Sequence, residues 1–232
     1  IGVSNKGYPI LAIPKQNKIK FALAKIQANP LAKIKWDKIK WEGIGGKLGA
    51  AQRRKQVNKQ QAFLKEVQAQ QKEAKKVLAN MEKKIQKLNG IDKLSNKQKG
   101  NYGEAKMHLH YLNQGYKRIS LNKVQELDDR IHQGIDGIYY NPNKNPKYII
   151  AEAKFGTSKL NRKTKQMSDD WILEEDKNRL SIADEEHREK IKKLLEKNSN
   201  EIRKDLFHVD EGGKETIHYL DKDANKIKKP KG

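Results

Sequence analysis

The segment Tyr148–Phe155 is apolar enough to form a buried strand, yet it contains two ions of opposite sign. Because the side chains of a strand alternate between its faces, Glu152 and Lys154 point the same way and Ala153 points the other way. An ion pair on a solvated sheet face is a common arrangement that contributes little. A central strand rarely has two charged positions unless a metal or a substrate offsets the cost of burying them. The segment therefore predicts a buried strand that carries a site.

A second strand is predicted just upstream, at residues 135–140, and a loop with two prolines joins it to the first. A hairpin of this kind would bring Asp136 beside Glu152. Asp136 alone, next to glycines, would equally suit a turn. Two converging carboxylates repel each other unless a divalent cation lies between them, and hard oxygen ligands favour magnesium or manganese. The hairpin therefore predicts a metal site.

The other elements predict a mixed α/β domain from about residue 100 onward. Helices are predicted at 102–114, 164–180 and 184–198, and strands at 116–121, 205–210 and 215–221. A long helix with a narrow apolar stripe, interrupted only by Gln71, is predicted at 50–89 and would serve as a spacer, a coiled-coil arm or a docking surface. We expect two domains, a basic and mainly helical region over 1–99 and an α/β domain over 100–232.

The net charge of the chain lies mostly in its first part. The 232 residues include 51 Lys+Arg and 29 Asp+Glu, a net charge of +22, and residues 1–100 contain 24 and 6 of these, a net +18. Such a surface attracts polyanions, although most charge runs are only solvated faces. The absence of cysteine excludes disulfides and thiolate zinc sites. No run approaches the roughly 18 apolar residues of a membrane span, so we expect none.

The first residues give weaker indications. The chain begins with Ile1 and lacks the pattern of a secretion signal, which is typical of a piece cut from a longer protein. Trp36 and Trp41 could insert at a membrane interface or stack on bases, although single exposed aromatic residues usually pack locally.

The order Asp136, hairpin, Glu152-X-Lys154 resembles the PD-(D/E)XK nuclease superfamily, which has the restriction-endonuclease-like fold. Upstream, the sequence Gly-Glu-Ala-Lys at 103–106 opens a helix similar to the glutamate-bearing first helix of that fold. Downstream, the sequence Lys-Gln-Met-Ser-Asp-Asp-Trp-Ile at 165–172 resembles a signature of bacterial polymorphic-toxin nucleases, including contact-dependent growth-inhibition toxins. The resemblance covers about residues 100–221, and the basic first part of the chain matches no family in this way.

The resemblance implies a role for each matching residue. Asp136 and Glu152 would bind a divalent ion, expected to be Mg²⁺ with Mn²⁺ or Zn²⁺ as alternatives, and Glu104 would complete the site directly or through water. The carbonyl of Ala153 would be a further ligand. Lys154 would orient or deprotonate the attacking water and stabilise charge on the phosphate.

Two residues of the downstream signature have different expected roles. Gln166, expected at the start of the following helix, would be a catalytic positioning residue. Trp171 is expected to pack in the core rather than contact substrate.

Several histidines and one aspartate stand outside this assignment. His108 follows Glu104 by four residues and shares its helix face, so a Glu-His metal pair or a general base is allowed, but a structural histidine is the commoner case. Asp129 is expected in a polar loop, with indirect support of the metal site as the alternative. His208 and His218 lie on the predicted late hairpin, with no partner assigned.

These expectations together predict that the chain is a metal-dependent toxin nuclease that hydrolyses DNA in a target cell. It would be delivered as part of a larger secreted or cell-surface toxin. RNA, especially tRNA, is the alternative substrate, because the same fold serves both. A toxin also implies a cognate immunity protein, expected to be acidic, that blocks the cleft. Two other classes stay open: a non-enzymatic basic nucleic-acid-binding protein, and a membrane-active toxin using the Trp36 and Trp41 segment.

Overall fold

The structure is a computed structural model that describes the backbone of residues 2–3, 9–10, 50–131 and 134–228. It also describes the side chains of residues 54–131 and 134–228, apart from that of Glu175. The chain divides into two compact units, Ile1–Lys65 and Glu66–Gly232. The segment with Trp36 and Trp41 lies outside the described residues, so its suggested roles stay predictions, as does the division between residues 99 and 100.

The elements follow in chain order. In the first unit, strands β1 (Gly2–Val3) and β2 (Pro9–Ile10) pair antiparallel. The helices are α1 (Ala50–Lys87), α2 (Asn96–Asn113), α3 (Asp169–Leu173) and α4 (Glu185–Glu196), with single 3₁₀ turns at Ile91–Lys93 and Glu175–Lys177. The remaining strands are β3 (Lys117–Arg118), β4 (Gly137–Tyr140), β5 (Tyr148–Phe155), β6 (Ile202–Val209), β7 (Glu215–Leu220) and β8 (Lys226–Ile227).

Strands β3 to β8 form one six-stranded mixed sheet in sequence order. Only β5 and β6 pair in parallel, and every other neighbouring pair is antiparallel. A parallel pair needs a crossover connection, which here contains α3 and α4. The predicted mixed α/β class, with helices flanking a central mixed sheet, is confirmed.

The central strand β5 is covered on both faces, as its apolar sequence predicts. Its residues Ile149, Ala151, Ala153 and Phe155 belong to one apolar cluster, which includes residues of α1 and α2. Tyr148 and Ile150 belong to a second cluster, which includes residues of α4. The alternation therefore places Glu152 and Lys154 on the second face, at the carboxyl end of the strand, beyond its apolar stretch.

From Glu66 onward, α1 packs on the core of the second unit. Met81 and Ile85 are buried in the first apolar cluster together with Tyr102 of α2. Gln71, the polar residue that interrupts the stripe, is buried too, and its Nε2 donates to the carbonyl of Leu112 over 2.7 Å. This carbonyl lies in the last turn of α2, where helix carbonyls lack partners within the helix. Gln71 is therefore an additional donor to this carbonyl, which also accepts the N–H of Gly115 over 2.8 Å.

Two predicted elements are shorter than the sequence suggested. The helix predicted at 164–180 is wrong in its bounds: only Asp169–Leu173 is α-helical, followed by the 3₁₀ turn. Lys165 and Met167 have φ angles of 51° and 73°, which a right-handed helix does not allow. The strand predicted at 116–121 is regular only over Lys117–Arg118. Within the described ranges, no helix is long and apolar enough to cross a membrane.

Candidate active site

The β4–β5 hairpin brings Asp136 and Glu152 together, as predicted. The strands pair Gly137 with Ala151, so the residue before Gly137 lies opposite the residue after Ala151. The Oδ2 atom of Asp136 accepts the N–H of Ala153 over 2.8 Å, which fixes this carboxylate at the sheet edge. The proposed ligand role of the Ala153 carbonyl stays a prediction.

Glu152 is the centre of the hydrogen-bond network at this site. Its side chain is only 3% exposed, and its Oε1 accepts from Lys154 Nζ over 2.8 Å and from Gln166 Nε2 over 2.6 Å. Its other oxygen, Oε2, is buried without a partner among the described residues. A buried acceptor without a partner loses its hydration and gains nothing in return. Oε2 of Glu152 is therefore a buried acceptor that a cation would satisfy.

The three predicted metal-binding carboxylates all have a raised pKa. Burial, followed by the charge of Asp136, raises the pKa of Glu152 to about 8 and that of Glu104 to about 9. Burial also raises the pKa of Asp136, although the Ala153 N–H and the charges of Lys154 and Arg118 act against it. The three carboxylates cannot all ionise near neutral pH, because their negative charges are buried close together. A bound cation would offset this repulsion.

Glu104 reaches this site from α2. It lies next to Gly103, where an added Cβ would be 3.9 Å from Cβ of Phe155, so the helix approaches the end of β5 closely at this point. The charges of Asp136 and Glu152 both raise the pKa of Glu104. The structure therefore places Glu104 in the same electrostatic neighbourhood as the hairpin carboxylates.

The three predicted carboxylates do not form a ready-made metal site. In residues 54–131 and 134–228, no group of three or more His, Asp and Glu side chains is arranged to hold one metal ion. The three-carboxylate set Glu104, Asp136 and Glu152 thus stays a prediction. The unpartnered Oε2 of Glu152 and the hard oxygen donors nevertheless fit a divalent cation such as magnesium.

Lys154 lies beside Glu152 and remains a cation. Burial disfavours its charge, but the charge and hydrogen bond of Glu152, together with the charges of Asp136 and Glu104, outweigh burial and raise the pKa of Lys154. Its side chain is 18% exposed, so the ammonium group lies at the boundary between the core and solvent. A charged group in this position can contact both a buried carboxylate and a bound anion.

Gln166 reaches the site from a turn, not from the start of a helix as predicted. Helix α3 begins later, after Ser168, whose side chain accepts the N–H of Trp171. Met167, in the left-handed conformation, is fully buried. The turn lets the side chain of Gln166 reach Glu152, and its role as a positioning residue stays a prediction.

Trp171 packs as expected from the sequence. It lies against the second apolar cluster, and the guanidinium of Arg179 is 4.2 Å from the centre of its ring.

The histidines and Asp129 lie outside the carboxylate cluster. Burial, followed by the charges of Arg118 and Lys123, lowers the pKa of His108 to about 3, so this side chain is neutral. Asp129 accepts the N–H groups of Gln125 and Glu126 and so stabilises its own loop.

Of the two histidines on the late hairpin, His208 lies nearer the carboxylates. It is paired with Lys154 in the β5–β6 register, and its Nε2 donates to the carbonyl of Gly156 over 2.6 Å.

Arg118 is a residue that sequence reasoning missed. It is 6% exposed, donates to the main-chain carbonyl of Asp136 over 2.6 Å, and also donates to the carbonyl of Asn122. Its charge lowers the pKa of both Asp136 and Glu104. An arginine inside a predicted strand is as costly to bury as Glu152. This charge within the predicted strand at 116–121 is the sequence feature that could have identified Arg118.

Comparison with protein-family models, curated proteins and solved structures finds no match to this chain.

Proposed function

We propose that residues 100–232 are a metal-dependent endonuclease that hydrolyses the phosphodiester bonds of DNA. The observation that carries this proposal is the convergence of Asp136, Glu152 and Lys154, with the Oε2 atom of Glu152 buried and without a partner. The order of these residues and their hairpin support a restriction-endonuclease-like core. This proposed fold is more specific than the mixed α/β class.

Asp136 and Glu152 would hold the divalent ion, and Glu104 would act on it directly or through a water. When bound, the ion would neutralise charge on the phosphate and lower the pKa of a coordinated water. Asp136 is fixed by the N–H of Ala153, and Glu152 by Lys154 and Gln166, so both carboxylates are held before any ligand arrives.

Lys154 would act on the reacting groups. Its Nζ lies 2.8 Å from Glu152, and its raised pKa keeps it positive at neutral pH. A positive group here would orient the attacking water and stabilise the charge that develops on the phosphate oxygens. Gln166 would act through Glu152, as a positioning residue.

The toxin assignment is a second part of the proposal. It rests on the resemblance of residues 165–172 to a signature of toxin nucleases. A domain of this kind would be delivered as part of a larger protein and would act in the cytoplasm of a target cell. A producing cell would then need an immunity protein, which we expect to be acidic because the chain carries a net charge of +22.

The test is incubation of the full chain with plasmid DNA and, separately, with total tRNA. Each substrate is combined with magnesium, manganese, zinc or EDTA and analysed on a gel. The proposal expects DNA cleavage that depends on a divalent ion and stops with EDTA. Cleavage of tRNA alone would change the substrate, and cleavage that EDTA does not affect would overturn the metal-dependent mechanism.

A further inference from the structure

We infer that the basic loop, residues 156–168 between β5 and α3, binds the phosphate backbone of the nucleic-acid substrate next to the cleavage site. This inference rests on the proposed nuclease function and adds to it the surface that holds the substrate.

The basic loop has an unusual charge. It contains Lys159, Arg162, Lys163 and Lys165, and no acidic residue occurs between Ala153 and Asp169. Residues 101–232 contain 27 Lys+Arg and 23 Asp+Glu, so without these four the remainder has 23 of each sign. The whole positive excess of this part of the chain is therefore equal to the charge of the basic loop.

The four charges are available to a partner. All four side chains are exposed, and none of them makes an ion pair or a hydrogen bond within the described ranges. Elsewhere in this unit, partly buried lysines have acidic partners, as Lys147 has Glu201 at 2.8 Å and Lys192 has Glu189 at 2.9 Å. A cluster of exposed cations without counterions attracts a polyanion by releasing its condensed counterions.

The basic loop is also held in place by its own hydrogen bonds. Asn161 Oδ1 accepts the N–H groups of Lys163 and Thr164 over 3.0 and 3.3 Å, and Asn161 O accepts the N–H of Gln166 over 3.0 Å. At its start, the N–H of Gly156 donates to the carbonyl of Val209 over 2.8 Å. A loop ordered in this way presents its charges at a defined position and loses less entropy on binding.

One side chain connects the basic loop to the candidate catalytic carboxylate. Gln166 Oε1 accepts the N–H of Asn161 over 3.1 Å, while its Nε2 donates to Glu152 Oε1 over 2.6 Å. The basic loop also follows directly after Lys154 and Phe155. A phosphate strand held by the basic loop would therefore lie beside Glu152 and Lys154, where the proposed hydrolysis takes place.

The opposite end of the sheet offers a matched control. Lys190, Lys193 and Lys197 are exposed on and just after α4, which precedes the start of β6. The first residues of β5 and β6 pair with each other, so this end lies about 20 Å along the strand from Lys154, at ~3.3 Å per residue. Two triple variants remove the same net charge. The loop triple variant carries Lys159→Gln, Arg162→Gln and Lys163→Gln, and the α4 triple variant carries Lys190→Gln, Lys193→Gln and Lys197→Gln.

Binding is measured separately from cleavage, in a Lys154→Ala background without divalent ions, by fluorescence anisotropy with labelled duplex DNA and with tRNA. Salt is varied from about 0.05 to about 0.2 M. The loop triple variant should raise Kd by about tenfold or more and reduce the slope of log Kd against log salt by about 2 to 3, at about 0.9 per lost phosphate contact. The α4 triple variant should keep the slope and change Kd by less than about threefold.

An unmutated protein gives an independent readout. Duplex DNA should protect Lys159 and Lys163 from acetylation and leave Lys190 and Lys193 reactive. Equal effects of the two triple variants, or an unchanged salt slope for the loop variant, would overturn the inference, as would DNA-independent acetylation at the loop. If Asp136→Asn cleaves DNA as fast as the wild type while the loop variant still loses binding, the proposed catalysis fails and the loop inference stands.

Discussion

The side chains of Gln166 and Glu152, 14 residues apart in the chain, are joined by a hydrogen bond of 2.6 Å to the same carboxylate oxygen that receives Lys154. One oxygen of Glu152 is therefore fully occupied by protein donors, and the other has no partner among the described residues. This division leaves Glu152 with one buried acceptor that a cation would satisfy.

The first prediction concerns Lys154. Replacing it with Ala should lower the rate of DNA cleavage by about 10²- to 10⁴-fold, the range expected for loss of a group that acts on the reacting atoms. Cleavage rates at saturating DNA and magnesium measure this effect. The same change at the exposed Lys193 should leave the rate within about twofold, and an active Lys154→Ala protein would remove this residue from the mechanism.

The second prediction concerns Gln166. Its replacement with Ala removes a donor to Glu152 and the acceptor for the N–H of Asn161, so kcat should fall by about 10- to 100-fold. The change should appear in kcat more than in KM, since the group acts through Glu152. Gln86→Ala, at an exposed position of α1, serves as the control. Full activity of the Gln166 variant would show that Glu152 needs no such support.

The third prediction concerns the pH dependence of stability without metal. The folded protein holds the Glu152 proton up to a pKa of about 8, whereas the unfolded chain releases it near 4.5. The folded state therefore binds more protons between these values, and the free energy of unfolding should fall as pH rises through this window. A loss of about 1.4 kcal/mol or more, the equivalent of one pKa unit, is expected in urea titrations with EDTA.

Two comparisons sharpen this test. Glu152→Gln should reduce the pH dependence and leave the part that Glu104 contributes, while Glu196→Gln, an exposed control, should leave it unchanged. Magnesium should stabilise the wild type more at pH 8 than at pH 5, because protons compete with the metal for the carboxylates. A wild-type protein whose stability rises over the same window would contradict the assigned direction of the Glu152 pKa.

The fourth prediction concerns Arg118. Arg118→Lys keeps the charge but loses the planar fork that reaches the carbonyls of Asp136 and Asn122, so the protein should lose about 2 to 4 kcal/mol of unfolding free energy. Urea titration measures the loss. Arg130→Lys, at an exposed position, should change stability by less than about 0.5 kcal/mol. Equal behaviour of the two variants would mean that Arg118 has no special role.

The hairpin geometry could be predicted because it follows from local rules. The two-residue period of β5 fixes the shared side of Glu152 and Lys154, and a short connection to β4 fixes Asp136 opposite. The mixed fold class could also be predicted from the sequence, because the apolar patterns of the strands and helices are long enough to be distinguished.

Other features depend on tertiary contacts that no local pattern contains. Lys165 and Met167 adopt left-handed backbone angles without being glycines, because the turn buries Met167 and directs Gln166 to Glu152. Arg118 lies on a strand of only two residues, so its burial follows from the pairing of β3 with β4 and not from its own sequence. Gln71 resembles a break in an apolar stripe until its partner, the Leu112 carbonyl, is known.

The most direct measurement of the central claim is the rate of plasmid cleavage by Asp136→Asn beside the wild type and Asp128→Asn, each with magnesium and with EDTA. Asp128 is exposed in a loop, so its variant controls for the loss of one negative charge. The proposed site predicts magnesium-dependent cleavage by the wild type and Asp128→Asn, and a loss of at least about 100-fold for Asp136→Asn. Equal cleavage by all three proteins, or cleavage that persists in EDTA, would contradict it.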